Sequence, residues 1–529
     1  MTTSTFPDAE IPDVSIYDYL FGSLDPEVRD SVAIVDGVSG ATTTYGALVA
    51  QIDALAGALA QRGLAPGDVV GLLCPNVPAF ATVFHGILRG GGVVTTINSL
   101  YTAEEIANQL NDAHATWLFT VSALLDGAKS AARASGIADD HLVVLDGAAG
   151  HPSLADLLSD RATPPQLSID PATQVAVLPY SSGTTGRPKG VMLTHRNLVA
   201  NVAQSSATIG LKHSDRVLAV LPFFHIYGLT VLLNYALHEG ASLVTMPRFD
   251  LVEFLRITSQ YRCTWLFIAP PIAVALAKHP VVAEFNLASV DVVFSGAAPL
   301  DGTLASAVAK RLGCRVRQGY GMTELSPVSH VIPLDRDDID LSSIGLALPN
   351  VETRLVDTET GDDIVVPESG PSAPGELLVR GPNVMLGYLG NAEATASTLT
   401  PEGWLHTGDI ATVDAHGVHT IVDRLKELIK YKGYQVAPAV LEAVLLSHPL
   451  IADAAVIGVP DSDEQEIPKA FVVLQAGALL DDAGVMDFVA SNVAPHEKVR
   501  RVEFIDAIPK TTSGKILRKD LRARESVEH

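Results

Sequence analysis

The chain has few cysteines and no segment that is apolar enough to cross a membrane. Its 529 residues include three cysteines, Cys74, Cys263 and Cys314, which are far apart in apolar surroundings. The sequence contains no CxxC pair, His/Cys cluster or disulfide framework, which indicates buried thiols in a reducing compartment. No run of about 18 apolar residues occurs, and the polar, acidic residues 1–12 are unlike a signal peptide. We therefore expect a cytoplasmic protein without a membrane span.

Basic residues are also scarce. There are 36 lysines and arginines against 60 aspartates and glutamates, which gives a net charge of −24. We expect no nucleic-acid partner, because nucleic acids are bound by basic patches. Apolar residues make up 47% of the chain and charged residues 18%, as in globular proteins with large cores. A chain of this length predicts several compact units, and it leaves open whether the protein is a monomer or a homodimer.

Short apolar runs alternate with helical patterns between residues 31 and 146. Continuous apolar runs are typical of parallel strands that are covered on both faces, and the alternation predicts a doubly wound α/β sheet. The predicted strands of this unit are 31–35, 69–73, 92–96, 117–120 and 142–145. A second sheet of the same type is predicted from runs at 217–221, 243–246, 265–268, 292–294 and 316–318.

The pattern changes beyond residue 340. Short strands with frequent turns predict a small β-rich subdomain there. The charged segment 423–427 then leads into a separate α/β unit of roughly 100 residues, which is a normal domain size. We therefore expect an N-terminal domain over residues 1–423, a hinge at 424–426 and a mobile C-terminal domain over 427–529.

A glycine- and hydroxyl-rich stretch runs from Tyr180 to Val191, after an apolar run that predicts a strand. Glycines let a backbone approach a ligand closely, and the hydroxyls and Lys189 suit an anionic phosphate chain. By composition alone, the stretch fits a phosphate-binding loop and a flexible surface loop equally well.

Several other stretches combine glycine, hydroxyl and charged residues at the ends of predicted strands, where open α/β sheets bind ligands. They are residues 221–228, 295–300, 318–324, 404–409, 423–435 and 509–515. In this order and spacing, the motifs resemble those of the adenylate-forming superfamily of acyl-CoA synthetases, adenylation domains and luciferases. The resemblance extends from about residue 30 to 520 and is greatest to the 4-coumarate–CoA ligases.

The resemblance implies an ATP-dependent acid–CoA ligase. A carboxylate would attack the α-phosphate of ATP to give acyl-AMP and pyrophosphate, and the thiolate of coenzyme A would then displace AMP. Because an anion attacks a polyanion, electrostatic stabilisation must dominate the first step. The implied ATP- and AMP-binding residues are Ser181, Ser182, Gly183, Thr184, Thr185, Gly186, Lys189, Gln318, Gly319, Tyr320, Gly321, Thr323, Asp409, Arg424, Lys430 and Gln435.

Four residues are implied to be catalytic. Lys515 would bring a compact positive charge to the attacking carboxylate and the α-phosphate. Thr323 and Glu324 would meet the α-phosphate, and Glu324 would bind Mg²⁺, which prefers oxygen ligands. His225 would position the acid rather than transfer a proton, because the nucleophile is already ionised.

The second half-reaction would follow rotation of the C-terminal domain about Lys426. The implied coenzyme A contacts are Lys432, Gly433 and Arg248, of which Arg248 is matched less specifically and also fits a plain surface arginine. The rotation would remove Lys515 from the site and bring Lys430 and Gln435 to the AMP phosphate.

The implied acyl pocket would be formed by Tyr227, Ala297, Gly321, Ser326, Pro327 and Val328. Small residues at 297 and 321 predict a slot for a flat aromatic ring, and Tyr227 could stack on it, which favours 4-coumarate or a related aryl acid. However, residues 375–381 lack the cysteine that plant 4-coumarate–CoA ligases carry there, so a medium- or long-chain fatty acid is the alternative. A luciferase-like or carrier-protein-loading adenylating enzyme would share the ATP motifs.

Overall fold

The computed structural model describes residues 2–181, 188–431, 434–460, 466–511 and 514–528. Its strands, in chain order, are β1 (Thr2–Thr3), β2 (Val32–Asp36), β3 (Thr42–Thr44), β4 (Val69–Leu73), β5 (Val93–Ile97), β6 (Ala115–Thr120), β7 (Leu142–Val144), β8 (Val175–Val177), β9 (Tyr180–Ser181), β10 (Lys189–Thr194), β11 (Arg216–Ala219), β12 (Ser242–Thr245), β13 (Trp265–Ile268), β14 (Val292–Ser295), β15 (Arg315–Gly321), β16 (Val328–Val331), β17 (Leu346–Ala347), β18 (Glu352–Val356), β19 (Gly375–Arg380), β20 (Gly387–Tyr388), β21 (Leu405–Val413), β22 (His419–Arg424), β23 (Ile429–Tyr431), β24 (Tyr434–Val436), β25 (Ile451–Pro460), β26 (Glu466–Leu474) and β27 (Arg501–Phe504).

The α-helices are α1 (Ile16–Phe21), α2 (Pro26–Asp30), α3 (Tyr45–Gln61), α4 (Pro78–Arg89), α5 (Ala103–Asp112), α6 (Leu125–Ala134), α7 (Leu154–Ser159), α8 (His195–Ser206), α9 (Tyr235–His238), α10 (Leu251–Gln260), α11 (Pro270–Lys278), α12 (Gly302–Leu312), α13 (Ala392–Thr398), α14 (Pro438–Ser447), α15 (Asp482–Ala490) and α16 (Arg518–Glu528). A π-helix spans Gly228–Asn234, and short 3₁₀ helices span Ser122–Leu124, Asp139–His141, Pro280–Glu284 and Thr323–Leu325.

The first large sheet has the strand order β20-β10-β8-β5-β4-β6-β7, and β9 pairs with β10. Strands β8, β5, β4, β6 and β7 are parallel, and β10 runs antiparallel to β8 and β20. The parallel strands are the continuous apolar runs of the sequence, and residues 70–73 and 142–144 are buried on both faces of the sheet. The predicted doubly wound sheet is thereby confirmed.

The second large sheet has the order β17-β16-β15-β14-β13-β11-β12-β2-β3, and β15 to β2 are parallel. Strand β2 lies here and not in the first sheet, which corrects the expectation that residues 31–146 form one unit. Its partner β12 is about 210 residues later, and Ser242 Oγ donates a 2.6 Å hydrogen bond to Val32 O. Local patterning specifies a buried strand but not which sheet it joins.

The remaining sheets are small. Strands β1, β18, β19, β21 and β22 form the predicted β-rich subdomain as an antiparallel sheet. After it come the pair β23-β24 and the sheet β25-β26-β27, which pack with α14, α15 and α16. The domain bounds at 423, 424–426 and 427 stay predictions.

Helix ends follow local capping chemistry. Helix α3 is capped by Thr44, whose Oγ1 accepts a hydrogen bond from Ala47 N. Helix α12 begins at Gly302, because Asp301 is its N-cap and accepts hydrogen bonds from two backbone N–H groups. Within the ranges that the structure describes, no helix is long and apolar enough to cross a membrane.

Candidate active site

Asp409 is the centre of a buried polar cluster at the end of β15. Tyr320 donates a 2.5 Å hydrogen bond to Asp409 Oδ2, and Arg424 Nε donates to Oδ1 at 2.9 Å. Asp409 and Arg424 face each other across β21 and β22. Asp409 raises the pKa of Arg424, and burial followed by Asp409 raises the pKa of Tyr320. The structure thus brings three predicted nucleotide-binding residues into one hydrogen-bonded group.

Gln318 also lies on β15, but its side-chain amide forms hydrogen bonds with the protein backbone. Its Oε1 accepts from Leu300 N, and its Nε2 donates to Leu300 O and to Leu341 O. The side chain thereby fixes the loop that follows β14. Gly319 has little free space, since a Cβ there would lie 3.0 Å from His330 O. Contact of either residue with adenine stays a prediction.

Glu324 is buried, with 5% of its surface exposed. Its Oε1 accepts two hydrogen bonds, from Ser181 Oγ at 3.0 Å and from Tyr388 OH at 2.9 Å. No side chain or N–H of the described ranges donates to Oε2. Glu324 lies in the short 3₁₀ helix Thr323–Leu325, which positions its carboxylate. The backbone carbonyl of Glu324 accepts a 2.9 Å hydrogen bond from Met385 N.

Tyr388 connects this carboxylate with Lys189. The Lys189 ammonium lies 4.8 Å from the centre of the Tyr388 ring, a cation–π distance. Lys189, Ser181 and Glu324 therefore lie together, as predicted for a phosphate site. The other predicted loop residues, Ser182, Gly183, Thr184, Thr185 and Gly186, lie outside the described residues. Tyr388 was not predicted from the sequence, although the Gly387-Tyr388 pair follows an apolar run, as the other motifs do.

His225 follows β11 in a loop that the first sheet holds in place. Asn76 Nδ2 donates to Ala219 O and Leu221 O, and Asn76 Oδ1 accepts from Phe223 N at 2.7 Å. Thr96 Oγ1 donates to Phe224 O at 2.7 Å. Asn76 and Thr96 were missed, because neither lies in a recognisable motif. They fix the backbone on which His225 sits.

The imidazole of His225 is neutral at pH 7. Burial, and then the positive charge of Lys515, lower its pKa to about 4. Its Nδ1 accepts from Tyr227 N at 3.3 Å. A neutral ring whose Nδ1 already accepts a hydrogen bond fits the predicted positioning role better than proton transfer.

Lys515 lies near charged groups of the N-terminal region and of the segment around residue 424. Burial and then Arg424 lower its pKa to about 8, against the opposing effects of Asp409, Glu427 and Glu324. The preceding Gly514 has φ +85° and packs on the start of α11, where a Cβ would lie 3.1 Å from Pro271. A glycine is therefore needed to bring the lysine this close.

The predicted acyl-pocket residues form two groups at the ends of neighbouring strands. Tyr227 packs against Gly296, where a Cβ would lie 2.7 Å from the ring, and its hydroxyl lies 3.4 Å from Phe294 O. Ala297 follows with φ +71°. The second group is Gly321, Ser326, Pro327 and Val328.

Gly321 does not itself leave an open slot. A Cβ there would lie 2.1 Å from Pro327 O, so the missing side chain makes room for backbone. Ser326 Oγ donates to Asn383 O at 2.8 Å, so its hydroxyl is engaged. Ala297 is exposed, and the roles of Ala297 and Gly321 in an acyl pocket stay predictions.

The predicted residues of the second half-reaction are not brought to this cluster. Arg248, Lys426 and Lys430 are exposed, and the Lys430 N–H donates to Glu466 Oε2 at 2.7 Å. Lys426 lines a cavity of about 140 Å³ with Glu427 and Arg522. Lys432 and Gly433 lie outside the described residues, as does the side chain of Gln435.

The carboxylate of Glu324 suits a metal ion that is held mainly by substrate phosphates. In the described ranges, no three His, Cys, Asp or Glu residues are grouped as a metal site. Glu324 supplies one carboxylate, and Mg²⁺ is commonly bound by one or two carboxylates together with substrate phosphates. The residues present therefore fit such an ion.

Most of the chain matches a known family of enzymes. Residues 26–389 match the AMP-binding enzyme family, and residues 440–515 match the AMP-binding enzyme C-terminal domain. A curated relative, 4-coumarate--CoA ligase 5 of Oryza sativa subsp. japonica, is 42% identical over 532 residues, covering 98% of this chain and 96% of the relative.

Two solved structures have the same overall arrangement. ATP-bound MatB from Rhodopseudomonas palustris is 30% identical, with a TM-score of 0.87 over 97% of this chain and 99% of that one. The anthranilate CoA ligase AuaEII in complex with anthranoyl-AMP is 27% identical, with a TM-score of 0.88 over 99% of each chain. The resemblance inferred from the motifs is thus confirmed, and the chain belongs to the family of AMP-binding enzymes.

Proposed function

We propose that the protein is an ATP-dependent acid–CoA ligase. In the first step a substrate carboxylate attacks the α-phosphorus of ATP, the bond to the bridging oxygen breaks, and acyl-AMP and pyrophosphate form. In the second step the thiolate of coenzyme A attacks the acyl carbon and releases AMP. The observation that carries the proposal is the position of Lys515, a partly buried cation whose pKa responds to the charges of Arg424, Asp409 and Glu324.

Each group of the cluster has a task in the first step. Tyr320, Asp409 and Arg424 would hold the nucleoside, because a carboxylate can accept from both ribose hydroxyls. Ser181 and Lys189 would face the pyrophosphate that leaves. Lys515 would stabilise the negative charge that the two reactants bring together. Neutral His225 would orient the acid.

Mg²⁺, when bound, would neutralise phosphate charge. Glu324 would hold it through Oε2, since Oε1 already accepts from Ser181 and Tyr388. Thr323, in the same 3₁₀ helix, would meet the α-phosphate.

For the second step, we propose that residues 427–529 rotate about a hinge at 424–426. Lys426 is exposed at that point. The rotation would withdraw Lys515 and present Lys430 and Gln435 to AMP. Lys432, Gly433 and Arg248 are our candidates for coenzyme A contacts.

We propose an aryl acid as the substrate, with 4-coumarate or a related hydroxycinnamate first. The support is the 42% identity to a 4-coumarate–CoA ligase over nearly the whole chain, and the similarity to an anthranilate CoA ligase. The pocket also has an aromatic wall, since Tyr227 lies against Gly296 beside the exposed Ala297. An aromatic ring can stack there.

An acid panel with ATP, Mg²⁺ and coenzyme A tests the proposal. Coumarate, caffeate, benzoate, octanoate and palmitate are compared by kcat/KM, with AMP and thioester measured together. We expect AMP and thioester in equal amounts, no AMP without acid, and the highest kcat/KM for coumarate or caffeate. Higher values for octanoate or palmitate would establish the fatty-acid alternative. AMP without thioester would overturn the ligase assignment.

A further inference from the structure

Helix α14 is bonded at both ends to side chains that precede the hinge. At its start, Asp423 Oδ2 accepts a 3.0 Å hydrogen bond from Ala439 N. At its end, Lys278 Nζ donates to Leu446 O at 3.4 Å and to Ile451 O, just beyond the helix, at 3.3 Å. These contacts join the N-terminal region to the C-terminal unit.

The helix does not cap itself. Its N-cap residue, Ala437, provides no side-chain hydrogen bond, and its last turn contains no basic residue. The first N–H groups and last carbonyls of a helix lack partners within it, and its dipole favours an anion at the start and a cation at the end. Asp423 and Lys278 supply both charges with the favourable sign.

Both side chains project from rigid supports. Asp423 is 4% exposed and lies on β22. Lys278 is the last residue of α11, and Arg311 donates to three carbonyls at that helix end, those of Leu276, Ala277 and His279. The first turn of α11 meets Gly514, next to Lys515. One nine-residue helix thus contacts both α14 and the lysine loop.

We propose that Asp423 and Lys278 are positioning residues that hold the C-terminal domain in the orientation for acyl-AMP formation. The inference rests on the proposed function, since it assigns the two contacts to the first of two half-reactions. Asp423 and Lys278 lie before residues 424–426, and α14 lies after them. A rotation about that hinge breaks both contacts, so they favour the state in which Lys515 is in the site.

The test measures the two half-reactions separately for Lys278→Gln and Asp423→Ala. Acid-dependent exchange between pyrophosphate and ATP reports the first, and thioester formation from supplied coumaroyl-adenylate and coenzyme A reports the second. For Lys278→Gln we expect the first rate to fall about two- to five-fold, the range for a cation at a helix end. For Asp423→Ala we expect the rate of the first half-reaction to fall about five-fold, as for loss of an N-cap. The second rate stays at the wild-type value.

Matched controls separate positioning from stability. Lys310→Gln removes an exposed lysine of the neighbouring helix α12, and Asp481→Ala removes the N-cap of α15, whose bond to Gly484 N stays within the C-terminal unit. Both should leave the ratio of the two rates unchanged. Lys278→Arg keeps the charge and should restore the first rate.

The two contacts should also differ in their response to salt. Lys278 is exposed, so its effect should shrink at 1 M salt, whereas that of the buried Asp423 should persist. The contacts at Ala439 and Leu446 lie about 10 Å apart along the helix, so the double variant should show the product of the two losses.

The following outcomes decide the question. A lower ratio in both variants and not in the controls supports the inference. Equal loss of both half-reactions, or a wild-type ratio in Lys278→Gln, overturns it. Absence of acid-dependent exchange in the wild-type protein would refute the proposed function instead.

Discussion

Tyr388 donates a 2.9 Å hydrogen bond to Oε1 of Glu324, the buried carboxylate that we assign to Mg²⁺. Ser181 donates to the same oxygen, and the Tyr388 ring lies 4.8 Å from the Lys189 ammonium. One tyrosine therefore orients the carboxylate and supports the cation of the phosphate site. Groups that orient a metal ligand in this way commonly affect metal affinity.

Tyr388→Phe should raise the Mg²⁺ concentration needed for half-maximal adenylation by roughly ten-fold, as expected for loss of a bond to a metal ligand. The aromatic ring beside Lys189 is retained, so a change in the Mg²⁺ dependence would come from loss of the hydroxyl alone. Pyrophosphate–ATP exchange measured against Mg²⁺ concentration checks it. Tyr45→Phe makes the same chemical change at a buried tyrosine whose hydroxyl donates to Ala241 O, and it should leave the Mg²⁺ dependence unchanged. An unaltered curve for Tyr388→Phe would contradict the role.

Lys515→Ala should lower acyl-AMP formation by at least roughly 10²-fold, the usual cost of removing a group that stabilises transition-state charge. Thioester formation from supplied coumaroyl-adenylate should remain, because the proposed rotation takes Lys515 out of the site. Lys519→Ala, which removes an exposed lysine four residues later, is the control for both steps. Equal loss of both half-reactions in Lys515→Ala would refute the two-state mechanism.

The sequence predicted most of the fold because each strand of a covered parallel sheet is a continuous apolar run. Strands such as β4 and β13 lie within a residue of their expected bounds. Sheet membership was less predictable. Strand β2 has the same apolar character as β4, but it pairs with β12 across about 210 residues, and a local pattern carries no information on such a partner.

The site was predictable where its chemistry is concentrated in short motifs. Lys189, Glu324 and Asp409 stand among glycines and hydroxyls at strand ends, and the structure buries or pairs them. Asn76 was missed because it lies in no motif, and Tyr388 because the Gly387-Tyr388 pair stands between two leucines, without other hydroxyl or charged residues next to it. At Gly321 the sequence does not distinguish the two reasons for a glycine, because backbone packing and substrate space both favour it.

His85 should make the protein sensitive to acid. Its ring is fully buried between Phe21 and Phe84, neither nitrogen has a partner among the described residues, and burial lowers its pKa to about 3. The ordinary pKa of histidine is about 6.5, so the unfolded chain binds the proton first as pH falls. The buried neutral ring of His85 contributes its full stabilisation above pH 6.5. As the pH falls from 6.5 to about 3, the free energy of unfolding decreases by about 1.4 kcal/mol per pH unit.

His85→Phe removes this titration and keeps an aromatic ring between the two phenylalanines. The difference in unfolding free energy between pH 7.5 and 5.5 should therefore be smaller in the variant, by about 1.4 kcal/mol. Urea unfolding at the two pH values measures it. His416→Gln, which removes an exposed histidine, should behave as the wild type. If His85→Phe lost stability with acid as steeply as the wild type, the buried ring would not be the cause.

Lys515 should set the alkaline limit of adenylation. Burial and Arg424 lower its pKa to about 8, so the ammonium is present below pH 8 and is lost above it. The value of kcat/KM for ATP reports the free enzyme, and it should be level up to pH 8 and then fall roughly ten-fold per unit. Lys515→Arg keeps its charge and should remove this fall, even if its rate is lower. Exchange rates from pH 6.5 to 9.5 for both proteins measure it. A fall that persists in Lys515→Arg would have to come from another group, and His225, with a pKa of about 4, titrates far below that range.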